Sequence, residues 1–417
     1  MDVPVDPVAV RPVAVPRAWA SSPLVVVSAA VASVQMSWSL VVPVLPDYAT
    51  RFGLGATQLG VVVSVFGVGR LLVNVPAGLA ARRVDRRWLL LGSTGAVVVF
   101  QALTGLATGF VSLLLARLLT GLAGGVAITS GMTLLAELAT PESRGRDMAT
   151  LQGLQLAGGA LGPVIGGLLT VAVGPRAAFL LSGLVAVVVL LWALAVLRGG
   201  AVPAVARTAG AQERGSWRSR DLSGVYLLGF AVFFHRFGGL QSLIPLIAYT
   251  QAGIGPGQLG LLLGAVTLCN VVMVRFAGGM SDRVGRKRVI VPASVFVAAG
   301  SAGLAFAGWS PAFVAATLVT GVAAGFSGPT PAAYLVDVTA PGARGTVTGL
   351  YRTFGDLGGI LGPLLLGVLA DTAGFAWAAA ALAAVVGVMT GAFAVLSRET
   401  VGPRRVAAAN RSEPAGG

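Results

Sequence analysis

The sequence predicts an all-α membrane protein whose twelve transmembrane helices form two pseudosymmetric six-helix bundles. Three observations carry that prediction: twelve apolar segments long enough to cross a bilayer, a polar linker midway along the chain, and an internal repeat at a constant offset of 200 residues. Of 417 residues, 56% are hydrophobic and 11% charged. A soluble domain carries about 25% charged residues, so a soluble enzyme is excluded. Gly numbers 59, roughly twice its usual share of about 7%, and no G-X-Y period accompanies it. Closely packed membrane helices need such residues.

A spanning helix requires about 20 mostly apolar residues. Such segments lie near 23–45, 57–80, 88–109, 110–136, 147–171 and 177–197, then 222–250, 258–281, 289–308, 311–336, 347–370 and 375–396. Residues 1–22, punctuated by Pro4, Pro7, Pro12 and Pro16, read as a tail. The apolar run behind them is too long for a cleaved signal peptide. Residues 23–197 and 222–396 then form the two bundles. The Gly-, Ala-, Ser- and Arg-rich stretch 198–221 is a flexible linker, and 397–417 is a second tail.

Of the 29 Lys and Arg residues, 22 fall on the side of the N-terminus, two (Arg51 and Arg176) on the opposite side, and five inside the spans. This positive-inside bias predicts a multi-pass protein of the cell membrane with both termini and the linker cytoplasmic. It also accounts for the net charge of +14 without any nucleic-acid partner. The lone Cys269 forms neither an intrachain disulfide nor a metal cluster, and no GxxxxGK[ST] run is present, so no metal or cofactor is expected.

The repeat is read directly from the residues. Gln58-Leu59-Gly60 recurs as Gln258-Leu259-Gly260, Gly78 as Gly278, Arg83-Val84 as Arg283-Val284 and Arg86 as Arg286. Further on, Glu137 matches Asp337, Pro141 matches Pro341, and Arg144-Gly145 matches Arg344-Gly345. Gly158-Gly159-x-Leu161-Gly162-Pro163 returns as Gly358-Gly359-x-Leu361-Gly362-Pro363. Six helices bring each copy back to its starting side, so the copies share one orientation and are related by an axis along the membrane normal. That arrangement places a solute site between them near the midplane.

Three motifs point to a family. Gly278-Gly-Met-Ser-Asp282-Arg283-Val-Gly285-Arg286-Lys287 lies between the eighth and ninth spans and resembles the loop signature of the major facilitator superfamily. Glycine permits the turn, the cations hold it in the cytosol, and Asp282 can accept from a helix N-terminus or an Arg, latching one half to the other. The first-half copy departs from the signature, with Arg82 in place of the acid and Asp85 in place of the second glycine; Asp85 is a substitute candidate for the carboxylate. Leu113-x-x-x-Arg117-x-x-Thr120-Gly121 resembles the family's fourth-helix motif, whose arginine the resemblance associates with proton coupling. Gly158-x-x-x-Gly162-Pro163-x-x-Gly166-Gly167 in the fifth span is similar to the motif of drug/proton antiporters, and its four-residue glycine period makes a flat face for close helix contact. The chain is thus identified as resembling major facilitator exporters, with the fold that this implies.

Ionisable residues inside apolar spans cost about 2.5–3.5 kcal/mol each at a helix centre, so they mark function or face a partner. Arg70, Arg117, Arg236, Arg275 and Arg352 are the embedded cations, with Arg70 and Arg236 nearest the midplane. Asp356 is the one deep acid; it follows Arg352 by four residues, within pairing reach on a helix face, and is the candidate proton carrier. His235, the only histidine, adjoins Arg236 and is a further coupling candidate. Glu137 and Asp337, near Arg144 and Arg344, read as gate ion pairs. Gln35 stands where similar proton-coupled exporters have an acid. Trp38, Phe66, Phe233, Phe234, Phe237 and Phe354 read first as packing.

The expectation is a monomeric secondary carrier, not an enzyme, that exports a small organic compound, such as a drug or metabolite, in exchange for protons. Arg70, Arg117, His235, Arg236 and Asp356 would serve solute or proton. Import or exchange of an anionic metabolite held by Arg70 and Arg236 is the alternative, and a non-transporting sensor or scaffold the third.

Overall fold

The computed structural model describes residues 22–80, 84–139, 143–198, 219–306, 308, 310–327, 330–340 and 343–400. The N-terminal tail, Arg82 and Arg83, Pro141, Pro341, most of the linker and the tail beyond Thr400 lie outside them. So do the side chains of Gly78, Arg144, Gly145 and Gly345, although their backbones are helical. Among the described residues, twelve helices are long and apolar enough to cross a membrane. The first half comprises α1 (Pro23–Leu40), α2 (Ala56–Ala80), α3 (Arg86–Gly105), α4 (Phe110–Leu138), α5 (Arg144–Ala172) and α6 (Pro175–Leu197). The second comprises α7 (Arg220–Thr250), α8 (Pro256–Val284), α9 (Arg286–Phe306), α10 (described over Ser310–Ser327 and Thr330–Asp337), α11 (Arg344–Thr372) and α12 (Phe375–Leu396). Leu191, Phe296, Trp377 and Val395 stand exposed on their outer faces, as lipid-facing side chains do.

Two spans differ from the sequence reading. The first stops at Leu40 rather than near 45, because Pro43 and Pro46 interrupt the ladder; the chain turns and forms a short helix, Leu45–Phe52. The seventh is α-helical over Arg220–Phe233, π-helical over Phe234–Leu243, and α-helical again from Ile244. Gly238 and Gly239 loosen this stretch, and Pro245 withholds the N–H that would have bonded the Gln241 carbonyl.

With an even number of spans, each half begins and finishes at one terminal end of the molecule, and the turns near 53, 107, 174, 253, 308 and 374 form the distal end. Gly53 and Gly253 both take φ +64°, a left-handed conformation that suits glycine, so the repeat extends to backbone geometry. The halves meet along α2 with α11 and α5 with α8. Those contacts are reciprocal. Gly60 faces the Pro363 carbonyl as Gly260 faces that of Pro163, and Gly367 faces Ala56 as Gly167 faces Pro256. Each pair exchanges under the offset of 200, which is twofold pseudosymmetry at atomic scale.

This seam occupies the distal half of the molecule. Toward the terminal end the helices part: a Cβ on Gly153 of α5, or on Gly278 or Gly279 of α8, would meet nothing within 4 Å, and Val272, Phe276 and Met280 are exposed. The bundle is closed distally and open at the terminal end.

Candidate functional site

Where the halves part lies a cavity lined by α1 and α5 from the first half and by α7 to α10 and α12 from the second. Its polar lining includes Gln35, Gln155, His235, Arg236, Gln241 and Asn270, and among the described residues no carboxylate belongs to it. His235 and Arg236 sit in the π-helical segment of α7, whose wider turn shifts the facing of successive side chains. Arg236 is exposed within the cavity, and no ion pair engages it among the described residues. His235 is 3% exposed, and its Nε2 has no hydrogen-bond partner there. Gln155 Nε2, Gln241 Oε1 and Ser294 Oγ, on other lining residues, are equally unpartnered.

Arg70 and Asp356 lie off the cavity, on the seam. Arg70 Nη2 donates to Asp356 Oδ1 at 3.0 Å, an ion pair that joins α2 of one half to α11 of the other. The expected partner within α11, Arg352, instead directs Nη2 toward Met132 Sδ, 3.9 Å away on α4. Spacing along α11 suggested Arg352; the seam brings Arg70 within hydrogen-bonding distance. Arg236 and Arg352 both lie within electrostatic reach of Arg70, so one carboxylate is set among three guanidiniums. The fourth cation, Arg117, is 2% exposed on α4, 4.9 Å from the ring centroid of Phe66 and 5.4 Å from that of Trp38. Its Nε and Nη1 have no hydrogen-bond partner among the described residues, so aromatic faces are its close company. Phe237 packs on Trp38 from the second half and Phe233 on Phe237, while Phe354 stacks on Tyr226. None of the aromatic candidates lines the cavity.

At the terminal end Glu137 and Asp337 engage partners that the sequence reading did not name. Glu137 bonds Arg86 at 2.6 Å and Asp337 bonds Arg286 at 3.2 Å, two bridges again related by 200 residues and each internal to one half. The expected partner Arg344 is exposed. The pairing follows the repeat because α3 and α9 each begin where the following helix, α4 or α10, finishes at the terminal end. Arg286 also bonds Asp282 and Ser281 Oγ, so the signature acid engages its own half while the terminal end is open. Gly285 takes φ +121° at the start of α9, Lys287 Nζ donates to the Ser397 carbonyl, and Arg283 is exposed. Asp85, at the position matching Gly285, adopts φ −59° and accepts from the Arg87 N–H as the N-cap of α3. It thereby stabilises a helix start.

In α5, Gly158 lies against the Ala32 carbonyl, Gly162 against Ser39 and Met36, and Gly166 against Leu40, all on α1. Pro163 and Gly167 face α8 instead, so one helix supports both its own half and the seam. Sequence reasoning missed the distal closure. Asp371 at the end of α11 accepts from the N–H groups of Ala56 (2.9 Å) and Thr57 (2.8 Å), capping α2 of the opposite half. Tyr249 on α7 donates to the Pro43 carbonyl at 3.1 Å, beside Asp47. A lone acid at a distal turn was the available signal.

A family model described as Major Facilitator Superfamily matches residues 27–255 and 225–416. The MFS-type transporter SLC18B1 of Mus musculus is 25% identical over 371 residues, covering 83% of this chain and 79% of its own. The chloramphenicol resistance protein of Streptomyces lividans is 30% identical over 295 residues, 69% of this chain and 71% of its own. Among solved structures, an inward-facing, unoccupied bacterial homologue of the human lysosomal transporter Spinster superposes with a TM-score of 0.73 at 14% identity, covering 92% of this chain and 97% of that one.

Proposed function

The chain belongs to the Major Facilitator Superfamily, and from that premise we propose that it exports a small organic compound across the cell membrane in exchange for protons. The observation that carries this reading is the reciprocal seam closed at one end of a cavity and parted at the other. Rocking the halves about that seam exposes the cavity to each side in turn. The positive-inside bias supports cytoplasmic termini, and with them an inward-open reading of the described state. The resemblance of the α5 motif to drug/proton antiporters, together with a relative named for chloramphenicol resistance, favours outward movement.

Coupling in this proposal runs through Asp356. Charged, it ties α11 to Arg70 across the seam; protonated, it releases that tie and lowers the barrier to separating the halves. Asp282, held by Arg286 in the inward-open state, becomes available to the first half when the terminal end closes. The carrier acts as a monomer. Import of an anionic metabolite bound jointly by Arg70 and Arg236 has less support, because Asp356 already engages Arg70.

Proteoliposomes carrying an internal pH indicator test the coupling. Asp356→Asn should slow proton-driven solute exchange by about 100-fold or more, with membrane insertion and proton-independent counterflow preserved. Full proton-driven exchange by this variant would remove Asp356 from the mechanism.

A further inference from the structure

The cavity's chemistry identifies the kind of cargo it accepts, an inference that rests on the carrier reading. A cationic solute in a low-dielectric pocket needs a carboxylate, and among the described residues no lining side chain supplies one. The deep acid is engaged by Arg70 on the seam. What the cavity offers is one guanidinium, Arg236, exposed inside it and unpaired among the described residues. Around it lie polar atoms with unused bonding capacity: the Gln155 Nε2 donor, the Gln241 Oε1 acceptor and Nε2 of the deeply buried His235. Buried polar atoms of native proteins nearly always have partners, so several orphans on residues lining one cavity, from α5 and α7, mark groups that bond a guest. Leu156, Leu228, Val232, Leu240 and Val266 supply the apolar remainder.

We propose that this cavity binds a monoanionic organic compound, a carboxylate on an apolar body, with the anion on Arg236 and neighbouring hydrogen bonds donated by Gln155 and His235. A single cation fits a single negative charge. Arg70 is not a second anchor, because its guanidinium is committed to Asp356. The anion's arrival also offsets the repulsion between Arg236 and Arg70 across the cavity wall.

The test uses purified full-length protein in nanodiscs and matched triplets of probes: 4-phenylbutyrate, 1-naphthylacetate and indole-3-butyrate, each beside its methyl ester and the amine of the same skeleton. Thermal shift should register carboxylates and not their esters or amines. Arg236→Gln should weaken carboxylate binding by about 10- to 100-fold, as expected for losing charge-assisted bonds to an anion. Gln155→Leu, which leaves the cation in place, should weaken it by a few-fold. Absence of a shift with every carboxylate, equal shifts with ester or amine, or undiminished binding by Arg236→Gln would each overturn the proposal. Counterflow of the same probes separates it from the carrier reading: amine or ester flux without carboxylate flux sinks the cargo class alone, whereas no flux of any probe through folded protein sinks the carrier as well.

Discussion

Burial raises the pKa of Asp47 above the ordinary carboxylate value, and the adjacent Tyr249 hydroxyl only partly opposes that rise. An acid whose folded pKa exceeds its unfolded value binds more protons when folded, so its penalty is absent at low pH and grows as pH rises through the raised value. Asp47→Asn removes the charge and keeps an acceptor near Tyr249. It should therefore raise Tm at pH 7 relative to the parent, with the difference vanishing below about pH 4, where the unfolded acid is also protonated; a constant difference across pH would show that Asp47 acts through packing. Arg117 is the opposite case, a buried cation held between Trp38 and Phe66 with unsatisfied nitrogens, an arrangement that stability alone does not explain. At this scale the sequence singled out residues by their chemistry and was poor on whom they touch. Arg70, Arg117, Arg236 and Asp356 stand out because charge is scarce inside apolar spans. The Arg70–Asp356 pair is 286 residues apart along the chain and depends on the register of α2 against α11, which local spacing does not encode.

The N-terminus of α2 presents unsatisfied N–H groups, and Asp371 of the other half accepts two of them. Its repeat partner, Val171, packs near Gly257 and makes no such cap, so the distal end is latched on one side of the pseudo-twofold axis by charge and on the other by apolar contact. Losing a helix cap costs about 0.5–2 kcal/mol. Asp371→Ala should therefore shift the population toward the distally open state by about 2- to 30-fold. A cysteine at Ser64, which bonds the Ile360 carbonyl in the closed seam, reports this in a Cys269→Ala background: its labelling by an impermeant maleimide from the distal side should accelerate accordingly, and an unchanged rate would show that Asp371 bears no closing load. The spans themselves were legible because lipid demands about 20 apolar residues whatever their order. The π-helical segment of α7 was not, since Gly238, Gly239 and Pro245 are compatible with a kink, a bulge or an unwound turn. That segment carries His235 and Arg236, so the sequence placed both in the membrane without revealing that they line a common wall.

For the whole molecule, duplication supplies both the two bodies and the joint between them. Gly60 against Pro363 and Gly260 against Pro163 let backbones approach where any side chain would intrude, and their reciprocity means that both seams open or close together when one half rotates on the other. A carrier of this design cannot work with the distal seam fixed. Gly67 and Ile360 face each other in the α2–α11 seam, with a Cβ on Gly67 lying 3.1 Å from Ile360 Cγ1, a spacing within which two cysteines can bridge. In a Cys269→Ala background, Gly67→Cys with Ile360→Cys should cross-link under mild oxidant and hold the protein distally closed. Solute exchange in proteoliposomes should then fall to the level of empty liposomes and return on reduction, while each single cysteine variant responds to neither treatment. Cargo binding from the terminal side should survive cross-linking, because the cavity remains open there. Exchange at the uncross-linked rate, with the bridge verified by gel mobility, would mean that the halves need not separate at the distal end and that solute crosses by another route.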